Sequence, residues 1–71
     1  MNLPSKFRLK VKTNKSVTKF FYDDGYVMEV TSKPIKGLAN KEIIDYFKKN
    51  FNKNIQIKGL TSNNKIITVI S

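Results

Sequence analysis

The sequence predicts an α/β protein of the α+β type. We expect a two-layer fold in which a four- to five-stranded sheet has one main amphipathic helix on one face, in the order β-(β)-β-α-β-β. Three observations predict this: strict apolar–basic alternation near the start, an Asp-Gly turn between two β-rich segments, and a helical period in the middle. With 71 residues there is room for a single domain, 1–71, and we expect residues 1–5 to be flexible.

The first predicted strand is Lys6–Lys12. Its apolar residues, Phe7, Leu9 and Val11, fall at every second position and therefore share one face. The alternating positions are basic: Arg8, Lys10 and Lys12. This strand should have one face buried and one face charged.

A β-hairpin should follow the polar loop after the first strand. Val17–Tyr22 is apolar and aromatic, and Tyr26–Thr31 is its return strand. Asp23-Asp24-Gly25 lies between them, and an Asp-Gly pair suits the positive φ angles of a tight hairpin turn. In the return strand Tyr26, Met28 and Val30 should face one way and Val27, Glu29 and Thr31 the other.

The helix follows Ser32–Leu38, a connector that contains Pro34 and Gly37. Its apolar stripe has a helical period and consists of Ala39, Ile43, Phe47 and Phe51, widened by Ile44 and Tyr46. Glu42 near the start and Lys48, Lys49 and Lys53 near the end match the helix dipole, which gives these charges a structural explanation.

Two further strands should complete the sheet. Ile55–Lys58 is short, Gly59–Asn64 is a polar turn, and Lys65–Ile70 is apolar on both faces. A strand that is apolar on both faces favours an internal position, so we expect the last strand to be central.

The formal net charge of +9 has two explanations. A polyanionic partner would favour it, because lysines that neutralise phosphates release counterions on binding. Nucleotide bias would also produce it, since Lys, Asn, Ile, Phe and Tyr, all available from A+T-rich codons, make up more than half of the chain. Arg8 is the single arginine, which argues against bidentate reading of bases.

The residue types give catalysis little support. The chain has no histidine and no cysteine, which are the usual general bases, thiol nucleophiles and soft metal ligands. Asp23 and Asp24 suit the turn, and Glu42 and Asp45 should pair with neighbouring lysines on the helix. We therefore predict no catalytic residues, no metal site and no cofactor.

Three motifs resemble those of the YggU-like family of small proteins, which has no assigned biochemical function. They are Thr31–Lys41 (TSKPIKGLANK), Gly59–Lys65 (GLTSNNK) and Val11-Lys12 at the end of the first strand. The resemblance extends from Phe7 to Ile70 and implies the order strand–strand–helix–strand–strand, without any reaction.

The chain departs from the family pattern in three places. Ser32-Lys33 replaces Ala-Pro, Thr13 replaces a common Pro, and Asn63 replaces a common Arg. If that arginine binds a ligand in relatives, this chain would bind the ligand more weakly or in a different way.

The first candidate site is the start of the helix, where free N–H groups and the positive dipole end attract anions. Its candidate residues are Lys33, Lys36, Asn40, Lys41, Ser62 and Lys65. The last two join only if the final turn lies at the same end of the sheet. In the structural alternative, Gly37 supplies a backbone angle and Asn40 caps the helix.

The second candidate site is the sheet face that the helix leaves open. Its candidate cations are Arg8, Lys10, Lys12 and Lys58, with Gln56, Thr68 and Glu29 beside them. Phe20, Phe21, Tyr22 and Tyr26 could supply stacking rings for a single strand, although alternation lets only about half of them face outward. The alternative is that the rings fill the core and the charges form a solvated face.

We expect a non-catalytic module that binds RNA, a ribonucleoprotein or another phosphate-rich partner. The alternative is a module that docks a protein through a sheet edge or the open sheet face. The chain has no segment typical of a signal peptide or a membrane span, so we expect a cytoplasmic monomer with no membrane partner.

Overall fold

A computed structural model describes residues 3–35, 37–61 and 63–70, apart from the side chains of residues 60 and 61. The elements in chain order are β1 (Lys6–Lys12), β2 (Lys19–Tyr22), β3 (Tyr26–Glu29), α1 (Leu38–Phe51), β4 (Ile55–Thr61) and β5 (Asn64–Val69). The predicted fold class is confirmed: one helix packs against a five-stranded mixed sheet.

The strand order is β2-β3-β1-β5-β4. β1 pairs in parallel with β3 and antiparallel with β5, and both outer pairs are antiparallel. The last strand is internal, as its two apolar faces predicted. The middle position, however, belongs to β1, so the strand with the strictest apolar–basic alternation divides the sheet.

One end of the sheet gathers several chain segments, and we call it the upper end. The segment between β1 and β2 crosses the end of β3 there, with the Asn14 N–H donating to the Ser32 carbonyl over 2.9 Å. The β4–β5 turn lies at the same end, because the Val11 N–H donates to the Asn63 carbonyl over 2.8 Å. The helix also begins there, because β3 runs parallel to β1 and leads into it.

The predicted Asp-Gly turn lies at the opposite end. Asp24 and Gly25 both have positive φ, of 53° and 133°. The strands on either side are shorter than predicted. β2 begins at Lys19 and leaves Val17 57% exposed, and β3 ends at Glu29, although the Val30 N–H still donates to the Lys12 carbonyl of β1.

The core lies between the sheet and α1. Its most deeply buried side chains are Leu9, Val11, Met28, Val30, Ile43, Phe47 and Ile67. Leu3 packs against this cluster, and the Ser5 carbonyl accepts a hydrogen bond from the Val69 N–H. Val27 is 6% exposed but lies outside the cluster, because its cross-strand partners Phe21 and Lys10 place it on the other face.

The helix corrects two expectations. Gly37, at φ 87°, is the N-cap residue, so Asn40 lies inside the first turn and does not cap the helix. The first turn contains no acidic residue, so Glu42 lies too far along the helix to be explained by the dipole. Lys48 and Lys49 do lie in the last turn, where the dipole favours them.

Phe47→Ala should unfold much of the protein, because Phe47 is fully buried among side chains from both layers. Truncating a buried phenylalanine costs about 3–5 kcal/mol, which is comparable to the whole stability of a domain of this size. Thermal denaturation followed by circular dichroism measures the loss. Ile44→Ala is the matched control, since Ile44 lies on the same helix but is 41% exposed. Equal melting temperatures for the two variants would contradict the packing described here.

Candidate nucleic-acid interface

The face of the sheet opposite α1 is called the open face here. On β1 it presents every second residue, and all of these are cationic and exposed: Lys6, Arg8, Lys10 and Lys12. The residues between them point into the core, because Phe7, Leu9 and Val11 are buried against the helix layer. The predicted division of β1 into an apolar and a basic face is thus present in the structure.

Cross-strand pairing arranges the open face into four rows. Each row includes one cation of β1: Lys6–Thr68–Gln56, Arg8–Ile66–Lys58, Lys10–Val27–Phe21 and Lys12–Glu29–Lys19. The expected cross-strand position of Glu29 beside a basic residue is therefore observed, with Lys12 and Lys19 as its partners.

The open face is strongly cationic among the described residues. Its exposed cations are Lys6, Arg8, Lys10, Lys12, Lys19 and Lys58, and its carboxylate is Glu29. A shallow groove of about 440 Å³ crosses one corner of the face, where Lys6 and Lys58 flank Ile66 and Thr68. The structure thus brings together Arg8, Lys10, Lys12 and Lys58 from the second predicted site, and adds Lys6 and Lys19.

Strand alternation was expected to turn about half of the four candidate rings outward, and the structure has one of them, Phe21, on the open face. The ring centroid of Phe20 lies 5.0 Å from that of Phe47 on the helix, and that of Tyr22 lies 5.1 Å from that of Tyr26, which packs against the core. These rings lie on the helix side, because the alternation of β2 and β3 turns them there. Phe21, half-buried, is the ring that lies on the open face.

The first predicted site is assembled only in part. Lys65 and the helix start share a pocket of about 350 Å³, also lined by Thr13, Pro34 and Asn40, so the final turn does lie at the upper end. Lys41 lines a different depression, and Lys33 is exposed on the connector. Lys36 and Ser62 lie outside the described residues.

One polar atom in that pocket has no hydrogen-bond partner among the described residues. It is the Asn40 side-chain oxygen, which is buried. An oxygen acceptor suits a donor group better than it suits a phosphate oxygen. The buried Asn40 oxygen therefore weakens the case for anion binding in this pocket.

At the upper end, a single carboxylate accepts hydrogen bonds from several donors, and sequence reasoning missed this arrangement. Glu42 was expected to pair with lysines, but its carboxylate accepts hydrogen bonds from the hydroxyls of Thr18, Thr31 and Ser32. The backbone N–H groups of Thr31 and Ser32 also donate to it, over 2.9 and 3.0 Å. Glu42 thereby fastens α1 to the segments on either side of the β2–β3 hairpin.

These contacts change the acidity of Glu42. Burial desolvates the carboxylate and acts to raise its pKa, but the hydrogen bonds from Ser32, Thr18 and Thr31 outweigh it and lower the pKa from 4.5 to about 2. No local pattern could have revealed this, because the partners lie 10, 11 and 24 residues away in the sequence.

Comparison with models of known protein families finds none that matches the chain. Within the described part of the chain, no three His, Cys, Asp or Glu side chains are grouped so as to hold a metal ion. No helix in that part is both long and apolar enough to cross a membrane.

Glu42→Gln should lower the free energy of unfolding at neutral pH by about 2 kcal/mol, because hydrogen bonds to a charged acceptor are lost. Since folding lowers the pKa of Glu42, its contribution is fully present above pH 4.5 and fades as the pH falls towards 2. Urea denaturation from pH 7 to pH 2 should therefore show the stabilities of wild type and variant converging in that range. Asp45→Asn, at an exposed position of the same helix, is the control. A constant difference between wild type and Glu42→Gln at all pH values would contradict the assignment.

Proposed function

We propose that this chain is a non-catalytic module that binds RNA or another phosphate-rich partner through the open face of its sheet. The main support is the line of cations along β1, from Lys6 to Lys12, on the face that the helix leaves uncovered. Lys19 on β2 and Lys58 on β4 extend this charge to both outer strands. A polyanion above the middle of the sheet would meet cations from three strands at once.

The kind of cation supports contact with a backbone more than reading of bases. Arg8 is the single arginine, and lysine lacks the planar fork that pairs with guanine in a bidentate way. Phe21 offers one ring, whereas stacking readers use several. Binding should therefore depend on charge and tolerate many sequences.

The distribution of charge favours selection over nucleotide bias as the origin of the basic composition. Bias would place lysines at any exposed position, among acids as often as elsewhere. On α1 the lysines Lys41, Lys48 and Lys49 share the helix with Glu42 and Asp45. On the open face, six cations accompany the single carboxylate of Glu29.

Two observations support a non-catalytic role: the environment of the Glu42 carboxylate, and the lack of histidine and cysteine in the sequence. Glu42 has a pKa of about 2, so its carboxylate would be a weak general base at neutral pH. Its oxygens are also engaged by three hydroxyls and two N–H groups. The chain has no histidine or cysteine that could act as general base or nucleophile instead.

Protein docking through a sheet edge is the second candidate function. The outer strand β4 is seven residues long and could pair with an added strand. Its register shifts between Gly59 and Thr61, and Lys58 is exposed on it, and both features discourage pairing at an edge. We therefore rank this function below phosphate binding.

Family and location complete the proposal. The motifs at Thr31–Lys41 and Gly59–Lys65 are the grounds for proposing membership in the YggU-like family. We also propose that the protein acts in the cytoplasm, where RNA is abundant.

The double variant Arg8→Gln with Lys10→Gln should bind a labelled single-stranded oligouridine about 25-fold more weakly at about 0.1 M salt. The reason is that each lost phosphate contact removes about 0.7 from the slope of log affinity against log salt concentration. Fluorescence anisotropy measures the affinity. The control is Lys48→Gln with Lys49→Gln, which removes the same charge from exposed helix positions. Equal losses in the two variants would mean that net charge alone drives binding, and salt-independent binding would favour edge docking.

Glu29→Gln should tighten binding about two- to fivefold, because it removes the carboxylate between Lys12 and Lys19. The same change should slightly lower the melting temperature, since cross-strand pairs of opposite charge stabilise a sheet. A gain in affinity with a loss of stability cannot arise from misfolding. Asp45→Asn has the same charge change on the helix and should leave affinity unchanged, and a weaker Glu29→Gln complex would contradict the proposed face.

A further inference from the structure

The cations of β1 form a line with a regular spacing. Lys6, Arg8, Lys10 and Lys12 occupy alternate positions of one strand, and alternate residues of a strand are about 6.7 Å apart. The line is therefore about 20 Å long and nearly straight. Pairing with β3 and β5 holds the β1 backbone on both sides, so the spacing is set by the sheet.

The spacing resembles that of successive phosphates in an extended nucleic-acid strand. In such a strand, neighbouring phosphates can follow a straight line of cations one by one. In a duplex, each strand winds around the helix axis, so a straight line of cations meets few successive phosphates of one strand. The arrangement on β1 therefore fits a single strand better than a duplex.

The surface beside the line is partly apolar. Val27 and Phe21 lie on one side of Lys10, and Ile66 lies beside Arg8 on the other side. Phe21 and Ile66 are half-buried, so their exposed parts can contact base surfaces while the phosphates follow the cations. Contacts of this kind accept any base, because every base has an apolar face.

We propose, building on the function proposed above, that the open face binds single-stranded nucleic acid with its backbone along β1. About four consecutive phosphates face Lys6, Arg8, Lys10 and Lys12. Lys19 and Lys58 lie to the sides of this path, about 10 Å away across two strand spacings, and contribute less. Lys65 and the pocket at the helix start lie on the other side of the sheet and take no part.

The first experiment compares conformations of the nucleic acid. Labelled oligouridine, an RNA duplex of equal length and a set of shorter single strands are titrated with the full chain by fluorescence anisotropy. The single strand should bind at least about tenfold more tightly than the duplex, with a salt slope near −3 for about four phosphates. Affinity should rise steeply up to about four nucleotides and only slowly beyond that length.

The outcomes separate this inference from the function on which it rests. A duplex that binds as tightly as the single strand overturns the single-strand path and leaves phosphate binding in place. Absence of binding by both probes at low salt overturns the proposed function itself.

The second experiment tests the path with two variants of equal charge. Lys6→Gln with Lys12→Gln removes both ends of the line on β1, and Lys19→Gln with Lys58→Gln removes the cations beside it. The first variant should weaken single-strand binding about 25-fold and the second no more than about fivefold. All four positions are exposed, and melting temperatures measured in parallel check that both variants are folded. The reverse order of effects would place the backbone across the strands and overturn the path along β1.

Discussion

A single helix can cover only one face of a sheet, and this constraint governs the whole molecule. α1 contributes Ile43 and Phe47 to a core whose remaining members come from the sheet, and no second helix exists among the described residues to cover the opposite side. Each internal strand must therefore tolerate water on one face. β1 meets this requirement most fully, because its apolar and basic residues alternate without exception. The alternation along β1 thus contributes to both surfaces: its apolar residues join the hydrophobic core, and its basic residues form the middle of the cationic face.

Features encoded by short-range periodicity could be predicted from the sequence. Alternation along β1, the helical stripe through Ile43 and Phe47 and the Asp24-Gly25 turn each depend on residues a few positions apart. Strand order could not be predicted, because the residues of β1 do not indicate which strands pair with it, and β3 and β5 do so. Which rings of β2 face outward could not be predicted either, since an aromatic strand can face either way until its partners are known.

Glu42 shows a different limit of sequence interpretation. A glutamate near the start of a helix has a familiar explanation in the dipole, and lysines stand nearby to pair with it. The observed partners come from distant parts of the sequence and are neutral hydroxyl and N–H groups. Such a site depends on three chain segments meeting, and the upper end brings them together only once the fold is complete. Asn40 was misjudged for a related reason, because Gly37 had already supplied the N-cap geometry.

The position of β1 in the sheet also has a consequence for how the chain reaches its fold. Phe7 pairs with Ile67, so one hydrogen-bonding edge of the middle strand pairs with a strand near the end of the described sequence. During synthesis on a ribosome, the hairpin of β2 and β3 emerges long before β5 does. Until β5 arrives, β1 has an open hydrogen-bonding edge and an apolar face, which together are a hazard for aggregation. The lysines that alternate along β1 place like charges on that edge, so they discourage association of nascent chains before the sheet closes.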